Sequence, residues 1–145
     1  MISIDFMTVL DVDGVFEVER ECFSSPWSKK SFLEELNNER TVYLVAKDND
    51  RVIGYAGVWC VAGDADITNV AVLSEFRRQG VAKMLLERLI FEAQQRQSQN
   101  IRLEVRRSNE AAICLYKKFG FSKVYVREKY YDNTEDALIL EKNIS

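Results

Sequence analysis

Arg77-Arg78-Gln79-Gly80-Val81-Ala82 joins an extended run to the most periodic segment of the chain. On its N-terminal side, Asp66 to Val72 reads as a strand. On its C-terminal side, Val81, Leu85, Leu89 and Ala93 recur four apart, and so do Ala82, Leu86 and Ile90. They form one apolar stripe on a helix expected from Val81 to about Gln97, with Lys83, Glu87, Arg88 and Glu92 off it. Ile101 to Val105 is the next strand. A strand–helix–strand crossover implies that the two strands run parallel.

The elements on either side are shorter. Ile2 to Phe6 suits a first strand and Asp11 to Phe23 a helix, which Ser24-Ser25-Pro26-Trp27-Ser28 interrupts. Ser28 is a natural N-cap for a second short helix carrying Phe32, Leu33 and Leu36. Thr41 to Lys47 and Val52 to Val61 flank the turn Asp48-Asn49-Asp50 and read as a hairpin. Gly63-Asp64 turns the chain into the strand at 66–72. After residue 105, Asn109 to Phe119 reads as a helix closed by Gly120. Phe121 to Arg127 and Ala137 to Glu141 are strands joined by the polar loop Tyr130 to Asp136. The predicted order is β-α-α-β-β-β-α-β-α-β-β. This is a mixed, mostly antiparallel sheet with helices on both faces, of class α/β or α+β.

Composition narrows the function. The 145 residues suit a single domain, 1–145, and 47% hydrophobic with 30% charged residues excludes disorder, collagen and a coiled-coil rod. No run approaches the ~18 apolar residues of a membrane span. Met1 to Phe6 carries Asp5 and lacks a basic n-region, so no signal peptide is expected either. A net charge of −3 gives no broad basic field, so direct nucleic-acid binding is not expected. Histidine is absent, which rules out Ser-His-Asp and Cys-His catalysis and His-ligated zinc; no metal is expected. Proton transfer near neutral pH then falls to a carboxylate, Tyr, Lys or Cys. Cys22, Cys60 and Cys114 are odd in number and form no CxxC pair, which suits core thiols in a reduced, cytoplasmic setting.

Three groups of residues can carry chemistry. The turn at 77–82 is basic, and Gly80 permits close backbone approach. Unpaired N–H groups at a helix start bind phosphate or pyrophosphate, and Arg77, Arg78 and Lys83 add charge. The same hexapeptide also reads as a solvated basic turn. In Leu103-Glu104-Val105-Arg106, alternation puts Arg102, Glu104 and Arg106 on one face. Glu104 there is either a general base at a strand end or a surface acid salt-bridged between two arginines. Asn109 can anchor a ligand or simply cap its helix, and Tyr116 can donate a proton or simply pack in the core.

The order and spacing of these groups are more specific than any one of them. An Arg/Gln-x-x-Gly-x-Gly/Ala loop opens a long helix; a strand ending Leu-Glu-Val follows, then Asn, then Leu-Tyr-x-x-x-Gly-Phe. This pattern resembles the GCN5-related N-acetyltransferase (GNAT) superfamily, over essentially the whole chain and most specifically from Ile67 to Phe121. Finer details resemble its RimI-type branch, the ribosomal-protein-alanine N-acetyltransferases. They are Ser25-Pro26-Trp27-Ser28, Asn69-Val70-Ala71-Val72, Arg77-Arg78-Gln79-Gly80, Leu103-Glu104-Val105-Arg106 and Tyr130-Tyr131. Ala82 stands where many relatives have glycine.

The resemblance implies acetyl-CoA as co-substrate. Its pyrophosphate would meet the N–H groups from Arg78 to Lys83, a stretch holding Gln79, Gly80, Val81 and Ala82, with Arg77 and Asn109 nearby. Its pantetheine would pair along Val70, Ala71 and Val72, which requires the strands at 66–72 and 101–105 to splay apart. Glu104 would deprotonate an amine and Tyr116 would protonate the departing thiolate. The acceptor implied is the N-terminal alanine of a small-subunit ribosomal protein. A lysine side chain or a small amine is the alternative acceptor. A non-catalytic acyl-CoA-binding module is a further alternative, which the presence of both Glu104 and Tyr116 disfavours.

Overall fold

The computed structural model describes residues 1–131 and 135–145. Its strands are β1 (Ile2–Phe6), β2 (Thr41–Asp48), β3 (Arg51–Val61), β4 (Asp64–Val72), β5 (Asn100–Arg106), β6 (Ser122–Tyr131) and β7 (Glu135–Asn143). Its helices are α1 (Val12–Cys22), α2 (Lys29–Leu36), α3 (Val81–Gln95) and α4 (Glu110–Lys118). The strands form a sheet in the order β1-β2-β3-β4-β5-β7-β6. Among the described residues only β4 and β5 pair in parallel; the other neighbours are antiparallel.

Helices cover both faces. A Cβ added to Gly54 of β3 would lie 3.5 Å from Leu85 of α3. The next residue, Tyr55, points the other way. Its ring meets Phe32 of α2 edge-on, centroids 5.4 Å apart, and its hydroxyl donates to Glu19 of α1. The apolar stripe expected on α3 is the one that is buried: Val81, Leu85, Leu86, Leu89 and Ala93 face the sheet.

The parallel pair is short. β4 and β5 share three residue pairs, Asp64↔Asn100, Ala65↔Ile101 and Asp66↔Arg102. Beyond them β4 stays on β3 as far as Val72 and β5 stays on β7 as far as Arg106. The sheet is therefore split between two central strands, as the resemblance requires. An extra residue at Thr68 bulges β4 there, because Gly57 pairs with Asn69 while Val58 pairs with Ile67.

Some boundaries and one burial differ from the sequence expectation. Helix α3 ends at Gln95, two residues before the expected Gln97. The turn that ends it carries left-handed Gln97 (φ 63°) at the position glycine usually takes, with Ser98 N–H on Ala93 O at 3.0 Å. Strand β6 runs past Arg127 to Tyr131, because left-handed Lys129 (φ 50°) absorbs an irregularity that a regular strand would not. The expected loop Tyr130 to Asp136 shrinks accordingly, and its residues 132–134 lie outside the described residues. Cys22 and Cys60 are half-buried, but Cys114 is exposed, on the side of α4 away from buried Tyr116. No helix among the described residues is long and apolar enough to cross a membrane. No group of three or more Cys, Asp and Glu among the described residues could hold a metal ion.

Candidate active site

The ends of the parallel strands and the starts of the following helices converge by connectivity. Residues 73–80 link the end of β4 to α3, and residues 107–109 link the end of β5 to α4. In sheets of this kind such a point of divergence is where ligands bind.

The basic turn has the geometry of an anion cradle. Arg78 and Gly80 are both left-handed, with φ 63° and 78°. Gly80 is the N-cap of α3, supplies no side-chain cap, and has open space around the place of a Cβ. The first N–H groups of α3 are left for another partner, and the positive end of the helix favours an anion there. The two arginines differ. Arg77 donates from Nε to Val72 O (3.3 Å) and reaches the Cys22 sulfur at 3.7 Å, so it ties the end of β4 to α1. Arg78 and Lys83 are exposed and make no side-chain hydrogen bond or ion pair to any described residue.

The β4 edge facing the split is a strand edge with free hydrogen-bonding groups. Leu73 N–H bonds to Ile53 O at 2.8 Å. Val72, opposite Gly54, therefore directs its own N–H and C=O away from β3, and Val70, two residues earlier, does the same. The Val72 carbonyl is taken by Arg77 and by the Cys22 thiol (3.4 Å). No described residue takes the Val70 N–H or C=O or the Val72 N–H, and Ala71 faces β3.

Glu104 stands across the split on β5. It shares a sheet face with Arg102 and Arg106, while Leu103 and Val105 are buried on the other. Neither flanking arginine is its partner. Arg102 pairs with Glu141 and Arg106 with Glu135, both on β7, and Glu104 Oε1 instead pairs with Arg127 Nη1 of β6 at 2.8 Å.

Tyr116 is 8% exposed. Burial pushes its phenol up to about 12, so it stays protonated through the neutral range. No described residue hydrogen-bonds to its hydroxyl. Asn109 caps α4, its Oδ1 accepting from Ala112 N–H at 3.2 Å, which leaves its amide NH2 available. Glu135 accepts from Ser108 N–H (2.8 Å) and Asp136 from Arg107 Nε (3.2 Å), so the start of β7 pins the loop that leads into α4. The hydrogen bonds from Ser108, with the Arg106 guanidinium beside them, hold the Glu135 carboxyl below the usual carboxylate range.

On the Glu104 face, α1 fixes the segment 23–28. Glu19 is 2% exposed; it accepts from Trp27 N–H at 2.9 Å and from the Tyr55 hydroxyl. Trp27 then stacks on Phe32, centroids 5.5 Å apart.

Residues 12–121 match the acetyltransferase (GNAT) family. The chain belongs to that family. Among its GNAT relatives, a protein of Bacillus subtilis (strain 168) is 42% identical over 136 residues, 92% of this chain and 90% of that one. The [ribosomal protein bS18]-alanine N-acetyltransferase of Salmonella typhimurium is 36% identical, over 100% of this chain and 99% of that protein. The crystal structure of the ribosomal-protein-S18-alanine N-acetyltransferase from Escherichia coli superposes with a TM-score of 0.92 at 34% identity, covering 100% of this chain and 95% of that one. The GNAT chain described here is an N-acetyltransferase with acetyl-CoA as its co-substrate. Two of its features suit that molecule: an uncapped helix start behind a left-handed basic turn, and an unpaired strand edge beside it.

Three residues on this face of the GNAT sheet escaped the sequence reading. Arg127 was expected only as the end of a strand, and nothing in its spacing announced Glu104 as its partner. Asp66 stands opposite Arg102 on the Glu104 face; desolvation, against the pull of Arg102, raises its carboxyl above the ordinary value. Asn69 Oδ1 is buried without a hydrogen-bond partner among the described residues. Alternation with buried Ala65 was the sequence signal for Asp66, and Asn69 stood in the quoted stretch Asn69-Val70-Ala71-Val72 without a role of its own.

Proposed function

We propose that this enzyme acetylates the N-terminal α-amine of a protein beginning with alanine, a small-subunit ribosomal protein of the bS18 kind. The observation that carries it is the placement of Glu104 on β5, across the split from the β4 edge at Val70 and Val72, on the sheet face where Glu19 fixes the segment 23–28. Full-length likeness to two bS18-alanine N-acetyltransferases supports the acceptor.

In this mechanism the pyrophosphate rests on the N–H groups from Arg78 to Lys83, and Asn109 offers its amide nearby. The pantetheine amides pair with Val70 and Val72. A backbone N–H of Val70–Val72 donates a hydrogen bond to the thioester oxygen and stabilises the negative charge that grows there during attack. Glu104 takes a proton from the α-ammonium through water, because only the neutral amine has a lone pair. The amine nitrogen bonds to the thioester carbon, the carbon–sulfur bond breaks and Tyr116 gives its proton to the sulfur, while the second proton shed by the nitrogen returns through water to the Tyr116 phenolate. Burial keeps the phenol protonated until the thiolate forms, and it raises the proton affinity of that thiolate. An α-amine has a reference pKa near ~8 against about 10.4 for lysine, so an N-terminus needs less help to become neutral.

The test compares a peptide beginning with Ala against the same peptide with a blocked terminus and a free lysine. Mass spectrometry locates the acetyl group. Acetylation of the free terminus and little of the blocked peptide is the expected result; equal acetylation of both transfers the assignment to lysine.

A further inference from the structure

The Glu104–Arg127 pair is unlike its neighbours on the same face. Arg102 and Arg106 find their acids on the adjacent strand β7, and Arg102 stands directly opposite Glu141. Glu104 stands opposite Ile139, which is 4% exposed and offers no charge. Arg127 comes from one strand further out and reaches over β7 to Oε1. Its guanidinium also lies 5.3 Å from the Tyr130 ring centroid. Oε2 takes no hydrogen bond from any described residue.

Stability does not explain this geometry. Both side chains are part-exposed, 47% and 34%, and pairs of that kind contribute about 0–1 kcal/mol. Orientation does. A glutamate on a strand surface has three torsions to explore. Holding Oε1 toward β6 leaves Oε2 as the oxygen available on the side of the split. The cation also closes the β6 approach to the carboxylate, so an acceptor ammonium meets Glu104 from the β4 side.

We infer that Arg127 is a positioning residue for catalysis, fixing the Glu104 carboxylate in the orientation that receives the amine proton. The inference rests on Glu104 being the base. Arg127 acts through Glu104 and need not touch either substrate.

The experiment uses the full chain, acetyl-CoA and an Ala-initiated peptide. Arg127→Met keeps a long apolar stem and removes the charge, whereas Arg127→Lys keeps a cation, and the pair is a single charge contact. Arg127→Met should lower kcat roughly 10- to 100-fold, the scale of a misplaced catalytic group. The KM for acetyl-CoA and the melting temperature should hold. Arg127→Lys should recover most of the loss. In a Glu104→Gln background Arg127→Met should cost nothing further, since the residue it orients no longer acts. Wild-type kcat in Arg127→Met, no recovery with Lys, or a full further loss in the Gln background each overturns the inference while leaving the base in place. Wild-type kcat in Glu104→Gln alone removes the base itself, and Arg127's role with it.

Discussion

The ring of Tyr116 meets the ring of Phe121 edge-on, with centroids 5.8 Å apart. The same two residues close the end of α4: Phe121 N–H bonds to Tyr116 O at 3.1 Å, and Gly120 N–H bonds to Lys117 O at 3.0 Å. Gly120 is left-handed, φ 93°, as this helix ending requires. The segment Leu-Tyr-x-x-x-Gly-Phe therefore builds its own rigid support for the tyrosine. Its ring is held by packing, and its hydroxyl takes no hydrogen bond from any described residue.

Tyr116→Phe removes that hydroxyl and keeps the ring contact. Turnover should fall about 10- to 1000-fold, the scale of one acid–base group. Acetyl-CoA affinity and the melting temperature should barely move. Steady-state kinetics beside calorimetry check this, and unchanged turnover would reduce Tyr116 to a packing residue.

At Gly80, strain and charge can be separated. Any side chain there must adopt φ near 78°, which Asn and Asp tolerate better than most. Gly80→Asn and Gly80→Asp are near-isosteric, so the strain cancels between them. Acetyl-CoA binding by calorimetry should weaken more with Asp, through repulsion of the pyrophosphate. Equal affinities would move the anion away from this turn.

Glu19→Ala leaves the Tyr55 hydroxyl and Trp27 N–H without their acceptor. Two buried donors unsatisfied should cost roughly 2–4 kcal/mol, read from urea unfolding. Because Trp27 lies in the segment beside the Glu104 face, the KM for the acceptor peptide should rise more than the KM for acetyl-CoA.

Asn69→Val should do the opposite to stability. It removes a buried oxygen that has no partner among the described residues and puts a β-branched residue in a strand. A gain of about 1 kcal/mol is expected. A clear loss in the urea midpoint would show that the oxygen is paired after all.

Burial also raises Tyr43 to about 12, alongside Tyr116. In the unfolded chain both lose their protons near pH ~10. Between pH 10 and 12 the unfolded state therefore binds fewer protons than the folded one, and stability falls as pH rises. Below pH 10 these two groups add no slope. Urea midpoints across that range test the sign, and Tyr116→Phe should flatten the curve.

The crossover at 66–105 was legible because its helix repeats apolar residues at four-residue spacing and its strands alternate. The capping roles of Ser28 and Gly120 were legible because each uses a residue type that its position selects. What the sequence left obscure is non-local. Glu104's partner is two strands away, and local alternation suggested the arginines beside it instead. Gln97 ends α3 in a conformation usually reserved for glycine, so no residue type marked the boundary. Arg77 carries the same charge as Arg78 and is likewise exposed, yet only the fold ties one to the Val72 carbonyl and leaves the other without a partner among the described residues.

The three-pair ladder between β4 and β5 makes the sheet two panels on a short hinge: β1 to β4 on one side, β5, β7 and β6 on the other. Past Asp66 and Arg102 the seam has no main-chain stitching of its own. A ligand that pairs with Val70 and Val72 supplies the missing rungs, so it is a temporary strand as much as a reactant. Its departure after each turnover reopens the seam, and amide hydrogen exchange at Val70 and Val72 should follow that cycle, slow when the seam is filled and fast when it is bare.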